Sequence, residues 1–312
     1  VTASLPLSQD GLEGIQTEIR HRSDFNGVSG ILLVRTNHLT EPSRADSRTN
    51  DGIGVLANEI IPALKRIDLS LFLAWTDTRT RYRRSILGPF WLVLGTTIGV
   101  GGLGFVWSQL FDMEAATFVP SLTIGLVCWY LLSQSVVEAA SVFVHNREML
   151  LNMRTPSLQI ALQLLLRHLV TFAHNLVVVV AVLAIYPTNL SLQGLLAIPG
   201  LLLVCISLLG IILFVGFFGA RFRDLEPLLN AVIQPLFFIT PVIFRPEQLG
   251  NSSLILALNP FAYWLSLIRD PLMGTTPPLS TWLISAGMAI LIWAAALTMV
   301  ARKRQRLAYW VH

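Results

Sequence analysis

The chain has 312 residues, 54% of them hydrophobic and 13% charged, with a mean hydropathy of +0.64, a balance too apolar for a water-soluble domain and characteristic of an integral membrane protein. The formal charge of +4 does not build a nucleic-acid-binding domain, because the basic residues flank apolar runs instead of forming a face of their own. Cys128 and Cys205, the two cysteines, sit inside apolar runs and give no support to a disulfide scaffold or a thiolate metal site.

Residues 1–54 are polar, mixed in charge and without sustained period, and "TEPSRADSRTNDG" at 40–52 reads as a linker, so a flexible cytoplasmic tail is expected. Asp10, Glu13, Glu18 and Asp24 interrupt the first thirty residues, which lack the apolar core of a cleavable signal. Val1 in place of a methionine fits a start codon assigned too far upstream. Over 55–78 the pattern changes: Ile60, Leu64, Ile67, Leu71 and Trp75 recur at steps of three and four, with Glu59, Lys65, Arg66 and Asp68 on other faces and Asn58 as a candidate cap. This predicts an amphipathic helix at the membrane surface, the alternative being a soluble helix packed on a partner.

Six apolar segments follow, at about 89–111, 118–142, 158–185, 194–219, 227–244 and 280–300, judged against the roughly 20 residues that cross a bilayer core. The fifth is short and carries Pro235 and Pro241, which predicts a kinked or partly re-entrant span. Arginine and lysine gather in alternate connections: Lys65, Arg66, Arg79, Arg81, Arg83 and Arg84 before the first span, Arg147 and Arg154 between the second and third, Arg221 and Arg223 between the fourth and fifth. Arg302, Lys303, Arg304 and Arg306 follow the sixth, whereas the opposite connections hold only Arg245 and Arg269. The positive-inside bias then puts both termini in the cytoplasm. The semi-apolar connection 245–279 predicts one or two short helices at the outer leaflet.

The chain has no G-x-x-x-x-G-K-[ST] phosphate loop, so ATP hydrolysis on it is not expected; adjacent aspartates, H-E-x-x-H and G-x-S-x-G are also missing, which weakens glycosyltransferase, zinc protease and esterase readings. Within the spans, Glu138, Arg167, His168 and His174 stand out, since a charge at membrane depth costs on the order of 3 kcal/mol unless paired or wet. Glu138 and Arg167 fall at similar depth on oppositely running helices and are expected to pair; a direct substrate contact and proton coupling are the alternatives. Aromatic residues crowd the span ends, Trp129, Tyr130, Tyr186, Trp264 and Trp282 among them, as interfacial anchors do. Phe90, Trp91 and Trp107 of the first span are also candidates for a track on which sugar rings stack. Gly95 and Gly99 have the four-residue spacing of a close helix approach, within the protomer or at a dimer seam. The 145–156 connection reads either as a small cytoplasmic helix before Pro156 or as a loop.

Four segments in order, "RYRRSILGPFWLVL" at 81–94, "GLVCWYLLSQSVVEAASVFVHNREML" at 125–150, "ARFRDLEPLLNAVIQPLFFITPVIF" at 220–244 and "LALNPFAYWLSLIRDPLMG" at 256–274, resemble the permease subunit of type-2 ABC exporters for polysaccharides, the O-antigen, capsule, teichoic acid and galactan group. The resemblance covers about 70–310 and departs at Met153-Arg-Thr-Pro156, where many relatives have lysine and an aromatic before the proline. It implies an all-α membrane protein of six transmembrane helices, with the amphipathic interface helix before them and external gate helices between spans five and six. It further implies a homodimer in the bacterial plasma membrane, with two separate ATPase subunits that hold ATP and Mg, exporting a polyprenyl-diphosphate-linked polysaccharide. Spans one and five would line the channel between protomers. Asn146, Arg147, Glu148, Met149, Leu150 and Arg154 match the helix that docks on the ATPase, with Arg221, Arg223 and Asp224 beside it. Arg81, Arg83 and Arg84 are first a topology signal, and the resemblance implies a second role at the access route of the lipid diphosphate. A membrane enzyme acting on lipid-linked sugars would need an acid/base or metal cluster that the sequence does not offer, and an ion-coupled secondary transporter would need more than the one intramembrane acid, Glu138.

Overall fold

A computed structural model of the protein describes residues 54, 59–81, 83, 85, 86, 88, 90–110, 114–153, 155–186, 192–244 and 257–311. The tail expected at 1–54, the Asn58 cap, Arg84, Arg154 and residues 245–256 of the external connection thus lie outside the described residues, Gly54 excepted. Every regular element among the described residues is helical: α1 (Ile61–Lys65), α2 (Ile67–Arg81), α3 (Phe90–Leu110), α4 (Ala115–Ala139), α5 (Val142–His145), α6 (Arg147–Leu151), α7 (Ser157–Ile185), a 3-10 turn (Leu192–Leu196), α8 (Ala197–Arg221), α9 (Leu225–Ile239), α10 (Pro260–Leu272) and α11 (Leu279–Trp310).

Among the described residues, five helical segments are long and apolar enough to cross a membrane: those at Val93–Leu110, Ala115–Ala139, Ser157–Ile185, Leu192–Arg221 and Leu279–Trp310. The fifth predicted span forms only the 15-residue α9, about 22 Å long at 1.5 Å per residue, short of a roughly 30 Å core. It stops at Thr240, where the chain turns extended ahead of Pro241, because proline disfavours helical geometry in the residue before it. The sixth predicted span runs well past residue 300: α11 carries the Arg302–Arg306 cluster on its last turns as unbroken helix.

The core is built around α4, α7 and α8, with α11 and α10 packed on α8 and α2 lying along α7. Phe143 and Phe217 meet edge to face at 5.2 Å between α5 and α8. Gly219 allows that approach, since a Cβ there would collide with the backbone carbonyl of Ala140. Trp129 and Trp264 do not sit at a wet interface. Both are buried, because Trp129 packs against Phe237 and Phe261 at 5.5 and 5.7 Å, and Phe261 packs against Trp264 at 5.6 Å, locking α4, α9 and α10 together.

On α2 the buried stripe is Ser70, Ala74 and Thr78, four residues apart, facing α7. Leu64, Ile67, Leu71 and Trp75, the apolar positions of the sequence pattern, point outward instead. Small residues let the two backbones approach, and the large side chains are left for the surrounding apolar phase. Glu59, expected on an outward polar face, is 2% exposed. Its carboxylate accepts from Ser157 Oγ at 2.8 Å and from the Leu158 backbone N–H at 3.2 Å, and it pairs with Arg304 Nε at 2.8 Å. An acid at the first turn of α7 meets unpaired backbone donors and the positive end of the helix dipole.

Candidate functional site

The helices α2, α3, α4 and α7 converge on a polar cavity of about 380 Å³. Each contributes one stripe at helical spacing. On α4 the stripe is Tyr130, Gln134 and Glu138; on α7 it is Arg167 and His168, then Thr171 and Asn175. Trp91, Gly95 and Thr96 of α3 and Thr78 and Arg81 of α2 close the ring. A second cavity, about 660 Å³, lies beyond it toward the start of α6 and α9, lined by Asn146 and Glu226 among others. Arg81, Glu138 and Arg167 border both.

At that border Arg167 Nη2 donates to Glu138 Oε2, joining α4 to α7. His168 Nε2 lies 3.8 Å from the same oxygen, beyond hydrogen-bond reach. Thr96 Oγ1 donates to Asn175 Oδ1 at 2.8 Å, tying α3 to α7, and Gln163 Nε2 donates to Asp77 Oδ2 at 2.8 Å, tying α7 to α2. Two buried nitrogens in the ring have no hydrogen-bond partner among the described residues, Arg167 Nε and His168 Nε2.

The sequence candidates divide. Arg81, Trp91, Glu138 and Arg167 come together around the first cavity. Arg83 and Phe90 are exposed outside it, and Trp107 is partly buried against the core, roughly 24 Å along α3 from Trp91 at 1.5 Å per residue. The three aromatic candidates therefore do not form one cluster. Asn146 borders the second cavity, Arg147 and Glu148 are exposed on α6, and Met149 and Leu150 are half-buried against the core. The 145–156 connection thus contains the small helix α6. Arg221, Arg223 and Asp224 are exposed at the α8–α9 turn, where the Arg221 guanidinium lies 5.2 Å from the Phe222 ring and 5.5 Å from the Trp310 ring. A Cβ added at Gly95, Gly101 or Gly102 would meet nothing within 4 Å beyond its own stretch of helix, and one added at Gly99 only the Tyr130 hydroxyl, at 3.9 Å.

Sequence reasoning missed the uncharged members of the ring. Tyr130, Gln134, Thr171 and Asn175 are visible only as polar positions four residues apart within apolar helices, a signal that matters once the facing helix is known to carry its counterpart.

The long apolar helices define an integral membrane protein. The ABC-2 type transporter family matches residues 69–273, and the chain belongs to that family. It is a multi-pass transport subunit of the bacterial inner membrane. It is similar to the O-antigen export system permease protein RfbA of Klebsiella pneumoniae, 24% identical over 211 residues that cover 67% of this chain and 82% of that protein. It is also similar to the O-antigen export system permease protein RfbA of Myxococcus xanthus, 24% identical over 249 residues, 76% of this chain and 93% of that one.

Proposed function

We propose that the chain is the transmembrane subunit of an ATP-driven exporter that carries a polyprenyl-diphosphate-linked polysaccharide from the cytoplasm to the outside, working as a homodimer with two separate ATPase subunits. The observation that carries this reading is the family match over 69–273 together with relatives that export O-antigen. The division of labour agrees with a chain that has no phosphate-cradling loop.

In this reading both termini are cytoplasmic, and the basic residues of α2, α6, the α8–α9 turn and the end of α11 share that side by the positive-inside bias. The short α9 makes the remaining crossing with the turn at 240–244, and α10 is an external gate helix. The outward-facing side of α3, with its glycines open to space, and α9, which buries no residue fully, face the second protomer and line the channel. The exposed α6, together with the turn at Arg221–Asp224, docks on the ATPase, and closure of the ATPase pair shifts α6 and the second cavity that Asn146 borders. Two states that differ in ATPase contacts are sufficient for that coupling.

Co-purification with an ATP-binding subunit, and ATP turnover stimulated by lipid-linked glycan, test the reading directly. Reversing the charges at Arg147 and Glu148 is expected to leave the folded permease intact and to uncouple ATP turnover from glycan export; unchanged coupling counts against α6 as the docking element.

A further inference from the structure

The helix α11 is longer than a membrane requires. Its 32 residues make about 48 Å of helix at 1.5 Å per residue, against roughly 30 Å of hydrocarbon. The surplus includes the basic end, where the apolar run gives way at Ala301 to Arg302, Lys303, Arg304 and Arg306. A helix end standing in water frays unless something holds it. Here it is held: Leu307 and Val311 are each 1% exposed, and Arg304 Nε lies 2.8 Å from Glu59 Oε1. No acidic residue follows Asp270 in the sequence, so that counter-charge has to come from a distant segment. Glu59 is fixed in turn to the first turn of α7 by Ser157 and the Leu158 N–H. The last turns of α11 are a docked platform.

That platform carries Trp310, whose ring is partly buried against the core. The Arg221 guanidinium lies 5.5 Å from its centre and 5.2 Å from the Phe222 ring, within the roughly 6 Å reach of a cation–π contact. Arg221 is the last residue of α8, and the chain turns extended at Phe222 before α9 begins at Leu225. Asp224 and Glu226 follow closely in sequence, yet among the described residues Arg221 forms no ion pair. The distinction matters chemically. An ion pair would spend the guanidinium N–H groups on a carboxylate of the same chain, whereas an aromatic face holds the cation and leaves those groups free for a carboxylate of another molecule.

Little within the turn itself fixes its direction. Asp224, at the start of α9, makes no side-chain cap hydrogen bond, and α9 buries no residue fully. The Trp310 contact ties the turn to a helix end that is anchored at Glu59.

We propose that the last turns of α11 brace the α8–α9 turn, and that Trp310 is a positioning residue that presents the Arg221 guanidinium to a carboxylate on the ATP-binding subunit. The identity of that partner rests on the exporter reading above.

The test is a double-mutant cycle on the full chain in lipid nanodiscs, read as affinity for the ATP-binding subunit that co-purifies with it, with thermal unfolding of the permease as the folding check. Arg221→Gln is expected to weaken binding about tenfold, the loss of one charged hydrogen bond. Trp310→Leu is expected to weaken it about fivefold at an unchanged unfolding temperature, and Trp310→Phe, which keeps a ring face, to stay near wild type. In the Arg221→Gln background Trp310→Leu is expected to add nothing. Additive losses, or a Trp310→Phe as weak as Trp310→Leu, reduce Trp310 to packing and overturn the proposal. Wild-type affinity in Arg221→Gln, a surface replacement, overturns it even where Trp310→Leu does not fold. A loss seen in anionic nanodiscs and absent in neutral ones assigns the end of α11 to lipid headgroups and also overturns it. If the ATP-binding subunit co-purifies and turns over ATP in response to lipid-linked glycan while every variant behaves as wild type, only this proposal fails. If no ATP-binding subunit co-purifies, the exporter reading fails and the proposal falls with it.

Discussion

Two glutamate–arginine pairs sit among the described residues, and they are different objects. Glu59, just before α1, is sealed: Ser157, the Leu158 N–H and Arg304 use up its carboxylate, and three chain segments are stitched together at one point. Glu138 and Arg167 sit at the wall of two cavities, both about a quarter exposed, with Arg167 Nε and the neighbouring His168 Nε2 unpartnered. A pair whose hydrogen-bonding capacity is spent holds the fold, and a pair with capacity to spare can take a ligand. Both are Glu and Arg in sequence; satisfaction of their neighbours separates them.

That contrast can be broken at several points. The largest effect is expected at Glu59→Ala, which leaves the α7 first turn uncapped and Arg304 without its partner: a loss of about 3 kcal/mol, read as a lowered unfolding temperature and lower membrane abundance. A variant that unfolds like the wild type would make the junction ornamental. Gly219→Ala comes next, about 2–3 kcal/mol for forcing a methyl group into the Ala140 carbonyl, measured in the same way. Glu138→Gln is expected to cost about 1 kcal/mol or less, because the pair is part-exposed at the wall of two cavities, yet to lower glycan export at unchanged protein level. A stability loss as large as that of Glu59→Ala would move Glu138 into the structural class. Smallest is Gly102→Ala, whose new methyl group meets nothing within 4 Å in the protomer; no change in folding of the single chain is expected, and a shift in oligomeric state by light scattering would locate α3 at a contact between copies.

The long spans were legible because length and apolarity are local properties: the runs at 89–111, 118–142 and 158–185 match α3, α4 and α7 within a few residues. Pro241 announced the break after α9 for an equally local reason. The burial of Trp129 and Trp264 was not legible, since an aromatic residue near a span end has the same local pattern whether it meets headgroups or another helix. Glu59 was misread for a similar reason. Its helical face is polar by neighbours in sequence, but its partners are about a hundred and more than two hundred residues away. Arg269 is a third example. In sequence it is a stray charge in the external connection; in the structure it is buried, and its guanidinium donates to the Pro241 carbonyl while Asn259 Nδ2 donates to Thr240 Oγ1 at 2.9 Å, so α10 clasps the break that ends α9.

By itself the sequence determined that this chain lives in a bilayer, where its long helices run, and where its positive charge accumulates, because hydropathy, helix length and charge bias act residue by residue along the chain. Only the tertiary structure decided which glycines let helices touch, which ion pair is sealed, and that four polar stripes from four helices close around one cavity. Those properties depend on what stands opposite each residue, and contacts between distant segments are set by packing, which no single stretch of sequence encodes.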